Sequence, residues 1–292
     1  MKLDLEALIT KVRILFALVR VRNVLISLIG VFVGAVLYDP DIAIQPILMA
    51  AASAGFILAG GNILNDYFDI ATDKTNKPWR PLPSGHISMS DTLMLAIVFF
   101  LLGLGLSKAV NEYCLIVAIV NTGILILYAR YSKRLLLVSN LSISYLVASV
   151  FLYGALATLK PGDPVGSAGI LLMVVTACSF FMTLAREIMK DIEDIEGDAK
   201  VYASSLPIKL GEKRSAIIAT IFGIAAVLIS LTPIFVHPPG FNTLYYGIFI
   251  SLADLIFISA FTMHPALAQR MMVGGMTLSL IAFMVGRLIP PI

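Results

Sequence analysis

Charge is scarce in this chain. Asp, Glu, Lys and Arg make up 13% of its 292 residues, about half the share of an ordinary soluble domain, while 59% are hydrophobic and the mean hydropathy is +0.95. So little polar side chain cannot cover a water-soluble surface, which excludes an ordinary soluble enzyme. Two cysteines are present, Cys114 and Cys178; both fall inside apolar runs and read as small buried residues rather than a disulfide framework. The three histidines, His86, His237 and His264, are scattered among separate loops without metal-ligand spacing, which argues against zinc.

Long apolar runs are what the chain has instead. About 20 apolar residues cross some 30 Å of hydrocarbon as a helix, and nine runs of that size stand at roughly 15–37, 44–64, 91–110, 113–130, 138–159, 168–186, 215–236, 243–261 and 270–289. The first is interrupted near its start by Arg20, Arg22 and Asn23. Residues 1–13 alternate apolar side chains with charges and lack a small-residue cleavage site, so they are expected to form an interfacial helix on the cytoplasmic surface. With nine spans, 18 of the 21 Lys and Arg residues fall on one side and only Lys108, Lys160 and Arg287 on the other. That asymmetry assigns the richer side to the cytoplasm, and the net charge of +3 reports topology, not nucleic-acid binding.

What charge there is concentrates in two acidic clusters, Asn65-Asp66-Tyr67-Phe68-Asp69-Ile70-Ala71-Thr72-Asp73 and Asp191-Ile192-Glu193-Asp194-Ile195-Glu196-Gly197-Asp198. Each follows a long apolar run on the cytoplasmic side. Asp66, Asp69 and Asp73 stand at i, i+3 and i+7; Asp191, Asp194 and Asp198 repeat those offsets, so each trio is expected to share one helix face. Neither face stabilises itself, because like charges three and four apart repel and anions at a helix C-terminus oppose its dipole. Two readings offset the cost: deep solvation of the loops outside the bilayer, or bound cations. The matched offsets, the matched positions and an oxygen-rich, thiol-free donor set favour the second, with Mg²⁺ holding waters and the oxygens of a diphosphate.

Downstream of each cluster come a basic residue, a Leu-Pro and a Gly: Lys77 to Gly85 after the first, Lys200 to Gly211 after the second. This echo points to a duplicated four-helix unit. The expected fold is an all-α membrane protein with nine transmembrane helices in a bundle around a central cavity, arranged as two four-helix repeats plus one. It is read as a single integral-membrane domain over 1–292, with the first acidic motif at 62–73 and its loop to 90, the second at 187–198 and its loop to 214. Lys77, Arg80, Arg130, Lys133, Arg134, Arg186 and Lys190 line the same rim, and among them Arg80, Lys133 and Lys190 are the candidates for diphosphate contact. Arg22 and Asn23, inside the first span, are expected to face a cavity.

Asn65-Asp66-x-x-Asp69-x-x-x-Asp73 and Asp191-x-x-Asp194-x-x-Gly197-Asp198, with Tyr128-x-x-Tyr131-Ser132-Lys133-Arg134 between them, resemble the UbiA superfamily of intramembrane prenyltransferases. The likeness spans essentially the whole chain. Arg186-Glu187-Ile188-x-Lys190-Asp191 through Asp198, and Asn76-x-Pro78-x-Arg80-Pro81-x-Pro83-Ser84-Gly85, look most like the archaeal digeranylgeranylglyceryl phosphate synthases within it. The resemblance implies Mg²⁺-dependent transfer of a prenyl chain from a diphosphate to an acceptor. It implies that Asn65, Asp69 and Asp73 hold one cation and Asp191, Asp194 and Asp198 the other, with Asp66 a ligand or a support. Asp191, Lys133 and Arg80 are then the candidate catalytic residues, and Arg22, Asn23, Lys77, Tyr128, Arg134 and Lys190 the candidate substrate-binding ones.

A prenyl diphosphate ionises once its leaving group is neutralised, and the allyl cation then needs a dry, apolar and aromatic cavity. Tyr67, Phe68, Tyr128, Tyr131, Tyr145 and Phe181 are candidate lining. In the archaeal-lipid reading the donor is geranylgeranyl diphosphate and the nucleophile the hydroxyl of geranylgeranylglyceryl phosphate; Asp191 or Glu187 would take its proton. The alternative is an aromatic acceptor such as 4-hydroxybenzoate. A secondary transporter is disfavoured because its sites usually lie at the midplane, whereas these acids lie at one rim. The expected partners are the bilayer, the prenyl donor and its acceptor, without nucleic acid or a protein partner.

Overall fold

A computed structural model describes residues 2–41, 43–131, 137–160, 169–195 and 205–291. Every regular element among them is helical: α1 (Lys2–Val19), α2 (Val21–Tyr38), α3 (Ile44–Phe68), α4 (Ile70–Asn76), α5 (Met89–Val110), α6 (Glu112–Tyr131), α7 (Val138–Leu156), α8 (Ile170–Glu193), α9 (Leu206–Leu210), α10 (Glu212–Ser230), α11 (Thr232–Val236), α12 (Thr243–Ala260) and α13 (Pro265–Leu288). Nine stretches among the described residues are long and apolar enough to cross a membrane, with α10 and α11 together forming the seventh. The nine expected spans are all present.

Their limits shift in four places, each for a local reason. The first span starts at Val21 instead of residue 15, because Arg20 adopts a left-handed backbone (φ 53°) that breaks the helix; the amides of Asn23 and Val24 then bond back to the Arg20 carbonyl at 2.8 and 3.3 Å. The second span runs to Phe68 and the sixth runs over Ile170–Glu193. Helical hydrogen bonding therefore continues past the last apolar residue and carries Asn65, Asp66, Glu187 and Asp191 on the helices themselves. The ninth span begins at Pro265, where a missing amide costs nothing in the first turn.

The chain forms two compact units, Met1–Gly30 with Ile44–Tyr131, and Val31–Ala43 with Ser132–Ile292. In the first, α3 is packed by α5 and α6 through small residues. A Cβ on Gly61 would lie 2.8 Å from the Leu125 side chain, and one on Gly60 would lie 3.0 Å from the Phe100 ring. Ser53 Oγ donates to the Gly103 carbonyl at 2.7 Å. Since lipid supplies no hydrophobic drive between helices, close backbone approach and interhelical hydrogen bonds carry the packing. Leu101 and Ile116, 63% and 60% exposed, mark the lipid-facing surface.

In the second unit, Val31–Tyr38 of α2 meets α7 across a pair of reciprocal glycines. A Cβ on Gly34 would clash with the Phe151 backbone, and one on Gly154 with the Val31 carbonyl. Beside them Phe151, Leu171, Val175, Tyr246, Ile250 and Phe283 form one buried cluster. Met182, Ile188, Ala219, Phe257 and Met272 form another. The buried Tyr246 hydroxyl donates to the Ser230 carbonyl at 2.6 Å, which ties α12 to the end of α10.

Candidate active site

The first acidic motif is built around two arginines. Asp66, 2% exposed at the end of α3, and Asp73, 4% exposed in α4, are bridged by one guanidinium: Arg80 Nη1 lies 3.0 Å from Asp66 Oδ1 and 2.6 Å from Asp73 Oδ2. Arg20 Nη2 reaches the same Asp66 oxygen at 2.7 Å. Two cations therefore oppose two largely buried carboxylates, which offsets the repulsion and desolvation that either acid would suffer alone. The helix break at Arg20 is what aims this arginine inward, and Asn62 Nδ2 secures the end of α1 by donating to the Val19 carbonyl at 2.9 Å.

Local chemistry explains how Arg80 is presented. The loop after α4 folds on itself: the Arg80 amide donates to the Lys77 carbonyl at 3.0 Å, the Ser84 amide to the Arg80 carbonyl at 3.0 Å, and the His86 amide to the Pro81 carbonyl at 3.0 Å. Ser84 Oγ adds a second bond to the Arg80 carbonyl at 2.7 Å. Gly85 takes the left-handed φ of 77° that closes the turn. Prolines on both sides of Leu82 limit the alternatives, and Leu82 is buried.

Asp69 sits at the joint between α3 and α4, with φ −87° and ψ 0°. Its amide donates to the Asn65 carbonyl at 2.9 Å, and the Asp73 amide donates to its carbonyl at 2.8 Å, so the helical path survives the joint and the expected shared face is kept. Asn65 Nδ2 donates to Asp69 Oδ2 at 2.9 Å. Beside this joint the Arg130 guanidinium lies over the Phe68 ring at 5.4 Å and over the Tyr131 ring at 5.5 Å, pinning the end of α6 to the end of α3.

The second motif ends α8. Asp191 Oδ2 accepts from Asn140 Nδ2 at 2.9 Å, and Asp194 caps the helix at φ −87° and ψ 3°. Glu187, 4% exposed, pairs with Arg186 Nη2 at 2.5 Å and with Lys190 Nζ at 3.5 Å. Glu193 Oε2 accepts from Gln269 Nε2 at 2.5 Å, which ties α8 to the start of α13.

The sequence-derived candidates therefore divide. Arg80, Asp66, Asp73, Asn65 and Asp69 are brought together in the first unit, and Asp191, Asp194 and Lys190 in the second. Lys77 caps α4 through its amide and its side chain is exposed. Arg22 and Asn23 lie exposed in the first turn of α2; Arg20, two residues earlier, is the arginine that reaches Asp66. Tyr128 is half-buried on α6. Lys133, Arg134 and Asp198 lie outside the described residues. Arg20, Asn140 and Arg130 were not singled out by composition or spacing for the roles they take.

The donor chemistry fits Mg²⁺. The arginine contacts fall on Asp66 Oδ1 and Asp73 Oδ2, leaving Asp66 Oδ2 and Asp73 Oδ1 outside them, and the set is oxygen throughout. Among the described residues no three acidic side chains enclose an ion by themselves. Mg²⁺ takes one or two carboxylates and completes its shell with water and substrate phosphate, and the carboxylate oxygens of this motif are donors of that kind.

The chain is 34% identical over 271 residues to the digeranylgeranylglyceryl phosphate synthase of Methanopyrus kandleri, covering 91% of this chain and 96% of that one. A solved structure of a digeranylgeranylglyceryl phosphate synthase in membranes superimposes with a TM-score of 0.82 at 34% identity, over 96% of this chain and 99% of that one. A UbiA homolog from Archaeoglobus fulgidus, solved bound to GPP and Mg²⁺, shares the fold at 17% identity, with a TM-score of 0.72 over 94% of this chain and all of that one. Residues 27–281 match the UbiA prenyltransferase family, and the chain belongs to that family.

Proposed function

We propose that this multi-pass membrane prenyltransferase moves the geranylgeranyl chain of geranylgeranyl diphosphate onto the hydroxyl of geranylgeranylglyceryl phosphate, on the cytoplasmic face of the membrane. The observation that carries the reading is the Arg20–Asp66–Arg80–Asp73 cluster: buried acids held in place by guanidiniums at the end of a span. A relative 34% identical across 91% of the chain is a digeranylgeranylglyceryl phosphate synthase, which supports the choice of acceptor. The bias of 18 basic residues to 3 supports the orientation.

Asn65, Asp66, Asp69 and Asp73 would hold one Mg²⁺, and Asp191 and Asp194, with Asp198, the other. When bound, the cations neutralise the diphosphate oxygens and so improve the leaving group. The chain's own residues supply the rest. Arg80 and Arg20 exchange part of their carboxylate contacts for diphosphate oxygens, which Arg binds in fixed fork geometry. The apolar helix walls exclude water from the allylic carbon. The acceptor hydroxyl forms the new C–O bond as the bond to the diphosphate breaks, and its proton passes to a nearby carboxylate, Asp191 or Glu187.

The test is an acceptor panel. Purified protein with geranylgeranyl diphosphate is expected to release diphosphate only when geranylgeranylglyceryl phosphate and Mg²⁺ are both present, and to stop with excess chelator. Turnover with 4-hydroxybenzoate instead would move the protein to the aromatic branch, and turnover indifferent to chelator would remove the metal from the reading.

A further inference from the structure

An unbroken helix would send the Asn23 amide to the Val19 carbonyl, four residues back. With Arg20 at φ 53°, that amide bonds the Arg20 carbonyl instead, at 2.8 Å. The break thereby takes from Val19, a buried residue, the partner that helical geometry assigns to its carbonyl. Asn62 of α3 replaces it: Nδ2 donates to the Val19 carbonyl at 2.9 Å, across 43 residues of sequence. A carbonyl can only accept, so the contact also fixes which end of the Asn62 amide faces α1. One turn further along the same face of α3, Asp66 Oδ1 accepts from Arg20 Nη2 at 2.7 Å. Asn62 and Asp66 are both buried, and together they grip the break at two points, one on the main chain and one on the guanidinium.

We infer that Asn62 is a positioning residue for the diphosphate: by donating to the carbonyl that the break strips, it holds residue 20 left-handed and keeps the Arg20 guanidinium at the first acidic motif. The inference rests on Arg20 meeting the diphosphate, as proposed above. A residue other than glycine keeps a left-handed backbone only where its surroundings impose it. Without the Asn62 donor a buried carbonyl is left bare, and the chain recovers a partner for it by returning residue 20 to the right-handed helix, where the Asn23 amide reaches Val19 again. That return changes the direction in which the residue 20 side chain leaves the main chain, and so withdraws it from Asp66. Asn62 therefore acts on the diphosphate through Arg20.

The experiment measures binding of geranylgeranyl diphosphate by calorimetry, in Mg²⁺ and detergent and without acceptor, across a double-mutant cycle. Asn62→Leu keeps nearly the same shape and removes the donor; Asn62→Ala repeats the change without the added apolar bulk. Each is expected to weaken binding by about 10- to 100-fold, the loss of one hydrogen bond to a charged group, and to match Arg20→Ala. Adding either Asn62 change to Arg20→Ala is expected to weaken binding no further, the mark of two residues that act as one. A bond that served only the fold would lower the melting temperature and leave the affinity of the folded protein at the parent value. That result, with Arg20→Ala weakened, would overturn the role of Asn62 and leave the site reading intact. Parent affinity in Arg20→Ala would overturn the reading of Arg20 as a diphosphate contact, and the inference with it. A further loss on adding Asn62→Leu to Arg20→Ala would overturn the inference by showing a route that bypasses the arginine. Failure of both Asn62 variants to fold would also overturn it, since the bond would then carry the fold rather than the arginine.

Discussion

Asp69 and Asp194 share one backbone conformation, φ −87° and ψ 0° in the first and φ −87° and ψ 3° in the second. Each closes a long span, and each amide reaches back four residues, to the Asn65 carbonyl at 2.9 Å and the Lys190 carbonyl at 3.0 Å. This sparsely populated region of backbone space is frequent at active sites. The repeat seen in the offsets of the aspartates thus extends to the main chain, where it turns the middle residue of each trio at a helix end.

If both joints present a carboxylate to a cation, Asp69→Ala and Asp194→Ala should each lower turnover by about 100-fold or more, beyond what groups that only orient a ligand contribute. Asp194 is exposed and Asp69 half-buried, so neither change should lower the melting temperature much. Steady-state rates at saturating Mg²⁺, set beside thermal melts in detergent, measure both.

Arg80→Ala removes the bridge between Asp66 and Asp73. Asp66 keeps Arg20, whereas Asp73 loses the one cation paired with it among the described residues, and a buried acceptor left without its partner costs about 1–3 kcal/mol. Both stability and turnover should fall. Arg20→Ala should spare Asp73 and lower stability less. Arg80→Lys should recover some stability but little activity, because a point charge cannot bridge two carboxylates as a planar fork does.

Gly154→Ala and Gly34→Ala should destabilise the protein by about 1–3 kcal/mol, the usual cost of overpacking a tight contact, since each new methyl meets backbone across the α2–α7 contact. Gly105→Ala and Gly123→Ala put the same methyl into open space and should be neutral or stabilising by roughly 0.5–1 kcal/mol. Thermal melts of the four variants distinguish packing from glycine content as the cause.

The cytoplasmic placement predicts labelling. In a background with Cys114 and Cys178 replaced, a cysteine introduced at Thr75 should react with a membrane-impermeant maleimide only after right-side-out vesicles are opened. One at Pro239 should react in intact vesicles. The reverse pattern would invert the topology.

The spans were legible because length and apolarity suffice to cross hydrocarbon, and the spacing of the first acidic motif because helical hydrogen bonding persists through the joint at Asp69. Arg80 was legible as a cation near two acids. Arg20 was not, since nothing in composition announces that an arginine inside a helical pattern will take φ 53° and turn its side chain to Asp66; Arg22 and Asn23 looked equally suitable and lie exposed. Asn140 escaped because an asparagine near a helix start reads as an ordinary cap, and its partner is 51 residues away. Glu187 was legible as an acid beside the second motif, and its ion pairs are with Arg186 and Lys190, one and three residues away.

A crystal structure with Mn²⁺ and a non-ionisable analogue of geranylgeranyl diphosphate tests the two-cation reading most directly. The expected result is two anomalous peaks at about 2.1–2.3 Å from carboxylate oxygens, one on Asp69 or Asp73 and one on Asp191 or Asp194, both touching the analogue's phosphates. Phosphate density held by arginine and lysine alone, with no anomalous peak at either row of aspartates, would contradict it.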